Sequence, residues 1–327
     1  MSPSPSALLR DRILTGSPPL LLPGAPDALT ARMLEDLGAE AVYVSGAGIA
    51  NTFLGMPDVG LLTLTELVSH VAAIRDAVDL PLVVDADTGF GNAVNVRRTI
   101  RALERAGASA VQIEDQVMPK RCGHFVGKSV VAPEDMVQKI YSATDSRGDK
   151  DLLIIARTDA RAEHGLAEAC DRARAYLEAG ADVTFIEAPQ SVAELREIPR
   201  MVPGPHVINM VEGGQTPILP LAELGELGFS VVLYANAVLR AGLFGMRRVA
   251  EHLLSSGDTL AVQDQMVSWD ERQALVRKQA LDELDDGYAA IAASAIEARA
   301  ARSRRIDARL DGHPDGQAPG SKIEPLT

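Results

Sequence analysis

Eight short apolar runs, separated by stretches with helical spacing, constrain this chain more than any other feature of its sequence. They are LLLPG (20–24), AVYVSG (41–46), LVVDAD (82–87), AVQIED (110–115), LLIIAR (152–157), VTFIEA (183–188), HVINMV (206–211) and VVLYAN (231–236). Near-continuous apolar runs suit strands buried on both faces. Between most of them lie amphipathic segments such as ALTARMLEDLG (28–38), VRRTIRALERAG (96–107) and LAEACDRARAYLEAG (166–180). Three of these end in a glycine, Gly38, Gly107 or Gly180, shortly before the next run. Glycine there ends a helix and turns the chain into a strand. Eight such units over about 230 residues predict an α/β fold, a (β/α)8 TIM barrel. A doubly wound open sheet is the structural alternative, but eight near-regular units fit it less well.

After Asn236 the pattern turns all-helical, which predicts a C-terminal helical extension packed on the barrel or on a neighbouring subunit. The expected organisation is a flexible N-terminus at 1–7, the barrel with its C-terminal helices at 8–300, and a disordered tail at 301–327. Aromatic residues make up only 4% of the chain, so its core must be built mainly from Leu, Val, Ile and Ala. The net charge of -13 argues against a nucleic-acid partner. It still permits an anionic substrate, because one local cation can reverse the field inside a cleft. No run is long enough for a membrane span, and the N-terminus lacks a signal-like apolar core. Two cysteines, Cys122 and Cys170, make no disulfide framework and fit a reducing cytoplasm.

In a (β/α)8 barrel the chemistry sits where the strands end. The run ends supply Ser45, Asp85 with Asp87, Glu114 with Asp115, Arg157 with Asp159, Glu187, Asn209 and Tyr234. Asp85 and Asp87 stand at i and i+2, so strand alternation would point both carboxylates the same way. Two like charges that close need a cation, and oxygen ligands favour a hard ion, Mg2+ or Mn2+. Alternatively, the acids are simply solvated where a strand opens into a polar loop. The coincidence across strands supports an oxygen-lined metal site (Asp85, Asp87, Glu114) beside a carboxylate clamp (Arg157 with Ser45 and Asn209).

The stretch KRCGHFVGK, Lys120 to Lys128, sets a thiol and an imidazole among cations. A cysteine beside Lys and Arg has a lowered pKa and can exchange a proton with a carbanion. Taken alone, a basic surface loop with an incidental cysteine explains the stretch more simply. Cys170 lies in a helical pattern and reads as core; His70, His164, His206 and His252 form no constellation.

Together YVSGAG, DADTGFGN, QIEDQVMPKRCGH, IIARTDA, FIEAP and NMVEGGQTP resemble the isocitrate lyase/phosphoenolpyruvate mutase superfamily over roughly residues 8 to 290. The KRCGH loop is similar to that of the lyase members: isocitrate, methylisocitrate and 2,3-dimethylmalate lyases, petal-death-type enzymes and oxaloacetate hydrolases. Carboxyphosphoenolpyruvate mutase shares it, whereas simple phosphoenolpyruvate mutases carry Asn at position 122.

The resemblance implies a barrel whose last helix is exchanged with a partner in a dimer of dimers, a homotetramer. It implies Mg2+ held by Asp85 and Asp87, with Asp58 and Glu114 acting through water. Ser45, Gly46 and Ala47 would donate to a 2-oxo acid that Arg157 also binds. Cys122 would be the acid/base, with Gly123, His124, Glu187 and Asn209 lining the rest. His124, Arg157 and Glu187 join Cys122 in the expected catalytic set; Tyr43, Asp58, Lys120, Tyr234 and Arg240 join the substrate-binding set.

Methylisocitrate lyases use a second, C-terminal Arg, and this chain has Trp269–Asp270 in that region. Arg240 is either a clamp for a distal carboxylate or a helix-surface residue. EGGQTP, Glu212 to Pro217, is closer to the dimethylmalate lyase and petal-death group. The expected activity is Mg2+-dependent cleavage of a carbon–carbon bond in a small anionic carboxylate, a substituted malate or oxaloacetate, releasing pyruvate or a related 2-oxo acid. The alternatives are a phosphonomutase of the phosphoenolpyruvate or carboxyphosphoenolpyruvate mutase type, and an oxaloacetate decarboxylase or hydrolase.

Overall fold

A computed structural model describes residues 3–15, 18–121, 123, 127 and 129–311. The chain divides into two compact units, Met1–Met266 and Val267–Thr327. The first unit holds eight strands: β1 (Leu20–Pro23), β2 (Val42–Val44), β3 (Leu82–Asp85), β4 (Ala110–Glu114), β5 (Leu153–Thr158), β6 (Val183–Ile186), β7 (His206–Asn209) and β8 (Val231–Tyr234). All pair in parallel in the order β1-β8-β7-β6-β5-β4-β3-β2. Ala25 N donates to Tyr43 O at 2.8 Å and Gly24 bridges Tyr43, which brings the two ends of the sheet together. Gly24 must lack a side chain, since a Cβ there would lie 1.9 Å from the Ala235 carbonyl oxygen. The fold is therefore the (β/α)8 barrel, with each of the eight runs forming its strand.

Strand alternation divides the core in two. Val83, Leu153, Ile155, Phe185, Val207 and Leu233 fill the barrel interior. Their neighbours Val84, Ile154, Ile208 and Val232 face the helices. Gly38, Gly107 and Gly180 adopt φ of 85°, 102° and 104°, the left-handed turn that glycine enters without steric cost.

The first helix, Pro5–Thr15, begins inside the stretch expected to be loose. Ser4 Oγ accepts from Ala7 N, and Leu9 and Ile13 join the interior cluster. A short apolar stripe that seals one end of a barrel has more reason to order than its Ser/Pro composition suggests.

In the second unit, Trp269–Leu275 starts with a capping box between Ser268 and Glu271, and Lys278–Asp311 forms one long helix. That helix passes the expected boundary at residue 300. No helix among the described residues is long and apolar enough to cross a membrane.

Candidate active site

The strand ends and the loops that follow them bring six carboxylates and two cations to one mouth of the barrel. The acids are Asp58, Asp85, Asp87, Glu114, Asp159 and Glu187; the cations are Lys120 and Arg157. Asp85 closes β3, but Asp87 is no longer strand: its φ is 47°, in the left-handed region. The two carboxylates converge through that turn, which simple alternation did not foresee. Asp87 N donates to Asp85 Oδ1 at 3.2 Å. Both side chains reach the backbone of Gly46, where a Cβ would stand 3.3 Å from Asp87 Oδ1 and 3.4 Å from Asp85 Oδ2. A non-glycine residue held at positive φ beside such a cluster is strain stored where it is useful.

Lys120 is buried, pairs with Asp58, and sits 2.8 Å from Asp87 Oδ1. Burial works against its charge, but Asp87, Glu114, Asp85 and Asp58 together hold its pKa well above the ordinary value. Burial pushes Asp87 up to about 6 against the pull of Lys120. It also raises Glu114 well above the usual carboxylate range, with Arg157 opposing. Glu114 Oε1 is buried without a hydrogen-bond partner. An excess of buried acid over buried base is costly unless a further cation shares it.

Among the described residues no three acidic, histidine or cysteine side chains form a ready-made metal cage. Oxygen donors favour a hard divalent ion, whereas Zn2+ sites draw mainly on Cys and His. The donor set, all oxygen and net negative, fits such a hard ion.

Arg157, on β5, stands beside Glu114 of the neighbouring β4. Its Nε and Nη2 donate to Asp159 at 3.0 and 3.1 Å. Its Nη1 lies 3.3 Å from Glu114 Oε2 and 3.4 Å from Glu187 Oε2. Burial alone would lower its pKa; Asp159, Glu114 and Glu187 raise it well above the usual value, so it stays charged. The backbone of Gly123 lies against it, and a Cβ there would be 2.4 Å from Arg157 Nη2. Cys122 and His124 lie outside the described residues.

One cavity collects most of the expected residues: Tyr43, Ser45, Ala47, Asp58, Asp85, Lys120, Gly123, Arg157, Glu187 and Asn209. Gly46 lies between the lining residues Ser45 and Ala47, against the carboxylates of Asp85 and Asp87. Two of the expected residues lie outside that lining. Tyr234 packs with the helix-facing cluster, because Leu233 and Ala235 take the inward positions of that strand end. Arg240 is 54% exposed at its side chain and is bound to the carboxylate and carbonyl of Glu212, so it behaves as the helix-surface residue.

Sequence reading missed Gln112 and Asn236. Gln112 stands two residues before Glu114 on β4 and therefore faces inward. Its Nε2 donates to Asp85 Oδ1 at 3.3 Å, and its Oε1 accepts from Tyr43 OH at 3.0 Å. The Asp85 carboxylate, which only accepts, fixes which end of the amide meets it, and the Tyr43 hydroxyl donates to the other end. Asn236 lines the cavity, and its Oδ1 is buried without a partner. The parity of Gln112 with Glu114 was a usable signal; Asn236 had none, since it lies beyond the strand. Gln112→Ala is expected to weaken divalent-ion binding about 10- to 100-fold, as loss of a supporting hydrogen bond does. A Mn2+ titration of folded protein checks this.

Residues 9–254 match the family described as phosphoenolpyruvate phosphomutase. The 2,3-dimethylmalate lyase of Eubacterium barkeri is 46% identical over 270 residues, 83% of this chain and 93% of its own. The solved structure of an oxaloacetate acetylhydrolase in complex with 3,3-difluorooxalacetate has a TM-score of 0.82 at 30% identity, covering 87% of this chain and 97% of its own. A phosphonopyruvate hydrolase solved in complex with oxalate and Mg2+ has a TM-score of 0.77 at 30% identity, covering 88% of this chain and 99% of its own. A barrel with this ring of acids around a buried arginine, matched along three quarters of its sequence, belongs to the phosphoenolpyruvate phosphomutase family, within the phosphoenolpyruvate mutase/isocitrate lyase superfamily.

Proposed function

We propose that this chain is a Mg2+-dependent carbon–carbon lyase that splits a small 2-hydroxy- or 2-oxo-dicarboxylate of the substituted malate or oxaloacetate type. The observation that carries the reading is one cavity lined by both Asp85 and Arg157, with Asp87 meeting Asp85 beside Gly46. Asp85 and Asp87 would hold the ion, with Glu114 and Asp58 reaching it through water. When bound, the ion supplies a Lewis acid that favours the deprotonated hydroxyl and offsets the charge released on cleavage.

The chain's own residues do the rest. Arg157 presents a rigid guanidinium to the substrate carboxylate. Ser45 and the backbone of Gly46 and Ala47 donate to the 2-oxo group. As a carboxylate of the cavity takes the hydroxyl proton, C2 becomes a carbonyl, the C2–C3 bond breaks and its electron pair passes to the departing fragment as an enolate or aci-carboxylate. Cys122, with His124 beside it in sequence, returns a proton to that carbon. Glu187 and Asn209 orient the fragment. The rest of the lining is neutral and partly apolar: Phe185, over which the Arg157 guanidinium lies at 5.3 Å, with Val211, Leu233, Ala235 and Asn236. With Arg240 engaged by Glu212, this lining favours a short dicarboxylate over a tricarboxylate.

A second reading, P–C bond chemistry of the phosphonomutase or phosphonopyruvate type, is favoured by the family match itself. The two are separated by assaying pyruvate released from alkyl-malates, oxaloacetate and phosphonopyruvate, with and without EDTA. Metal-dependent release from an alkyl-malate supports the lyase; release from phosphonopyruvate alone overturns it. Cys122→Ser is expected to lower lyase turnover at least about 100-fold, the usual scale for a positioned acid. Full turnover in that variant would remove Cys122 from the mechanism.

Asp87 also predicts a pH dependence. With its carboxyl at about 6, protonation competes with metal as pH falls below that value. Mn2+ affinity should drop by about tenfold per pH unit below 6 and level off above it. Isothermal titrations between pH 5 and 8 check this.

We further propose a homo-oligomer in the cytoplasm. The helix Ala237–Ser256 leaves Leu243, Phe244, Met246, Leu253 and Leu254 exposed, an apolar set that a second copy would cover. The described cysteine, Cys170, is free.

A further inference from the structure

We propose that Arg172 and Tyr176 are positioning residues that set the Arg157 guanidinium through the buried carboxylate of Asp115; this rests on Arg157 being the substrate clamp. Asp115 follows β4 and is fully buried. Its Oδ2 accepts from Thr158 Oγ1 at 2.7 Å, from Tyr176 OH at 2.8 Å and from Arg172 Nη1 at 3.3 Å. Its Oδ1 accepts from the backbone N of Asp159 at 2.9 Å. Asp159 in turn holds Arg157 through Nε and Nη2. One carboxylate therefore fixes the side chain of Thr158 and the backbone of Asp159, the two residues that follow Arg157.

Arg172 and Tyr176 are four apart on the helix Arg161–Glu178, so they share a face. Arg172 Nη1 also donates to Val131 O at 2.8 Å, and Val131 N donates to Asp115 O at 2.8 Å. Glu168 holds the other edge of Arg172 at 2.9 Å. A buried carboxylate needs a counter-charge, and Arg172 is the only cation in contact with Asp115 among the described residues. The Asp159–Arg157 pairing is two-pronged, so its angle follows the backbone that Asp115 holds. A bidentate clamp is sensitive to such a tilt, because both its bonds must be straight at once.

The test uses the full chain with Mg2+ and oxalate, a small dicarboxylate that Arg157 should hold. Arg172→Met is expected to raise the oxalate Kd about tenfold or more, while Mn2+ affinity measured without oxalate changes less than about twofold. Arg172→Lys, which keeps the charge beside Asp115, should recover most of the loss. Tyr176→Phe keeps the ring in the core and removes one bond; a rise of about threefold in oxalate Kd is expected, with KM raised more than kcat is lowered. It keeps the test open if Arg172→Met does not fold. Oxalate Kd unchanged in folded Tyr176→Phe and Arg172→Met protein overturns the proposal, even if their Tm falls, because a mere brace would do that. Wild-type protein that binds oxalate while the variants bind equally well sinks only the positioning role. Wild-type protein that binds no oxalate with Mg2+ present sinks the Arg157 reading and this proposal together.

Discussion

Asp87→Asn is expected to reduce turnover on the order of 10³-fold or more, with divalent-ion binding lost in parallel. Removing a single preorganised charge-stabilising group already costs on that scale. Asp87 has more than one reason to matter. It is one of two carboxylates meeting at Gly46, it pairs with Lys120, and its backbone is held at positive φ. Asn keeps the shape and tolerates that backbone better than most residues, so the fold should survive. It removes the charge proposed to hold the ion and leaves Lys120 with Asp58 as its close partner. Turnover and Mn2+ titration on the same preparation check this. Unchanged metal affinity with lost turnover would assign Asp87 to substrate instead.

Arg157→Lys is the second large effect. The guanidinium spans three carboxylates, bidentate to Asp159 and end-on to Glu114 and Glu187. A lysine ammonium cannot make a two-pronged bond and sits on a different stem. Truncating one partner of a buried charge network costs about 2–5 kcal/mol, which is roughly 30- to 5,000-fold in kcat/KM. The loss should fall on substrate binding and turnover, and Mg2+ affinity should change little, since Arg157 is not among the proposed ion ligands. A matching loss of metal affinity would show that the clamp and the ion site are one cooperative unit.

The architecture was legible because it depends on a repeated pattern. Each apolar run had to be buried on both faces, and glycines at 38, 107 and 180 marked where helices hand over to strands. The inward residues at strand ends were legible for the same reason: Glu114 and Arg157 follow strict alternation. What lay beyond the last hydrogen-bonded residue was not. Asp87 converges on Asp85 through a left-handed turn, Tyr234 turns outward where Leu233 and Ala235 turn in, and Asn236 enters the cavity from a loop. Nor does a sequence show which charges neutralise one another. Arg240 finds Glu212, twenty-eight positions away, and Lys120 finds Asp58 across two helical connections.

The most direct test is a crystal of the protein soaked with MnCl2 and oxalate, with anomalous differences collected for manganese. A single strong peak between the Asp85 and Asp87 carboxylates, with oxalate bridging it to Arg157, is the predicted result. A cavity without manganese, or a peak elsewhere on the chain, would contradict the account.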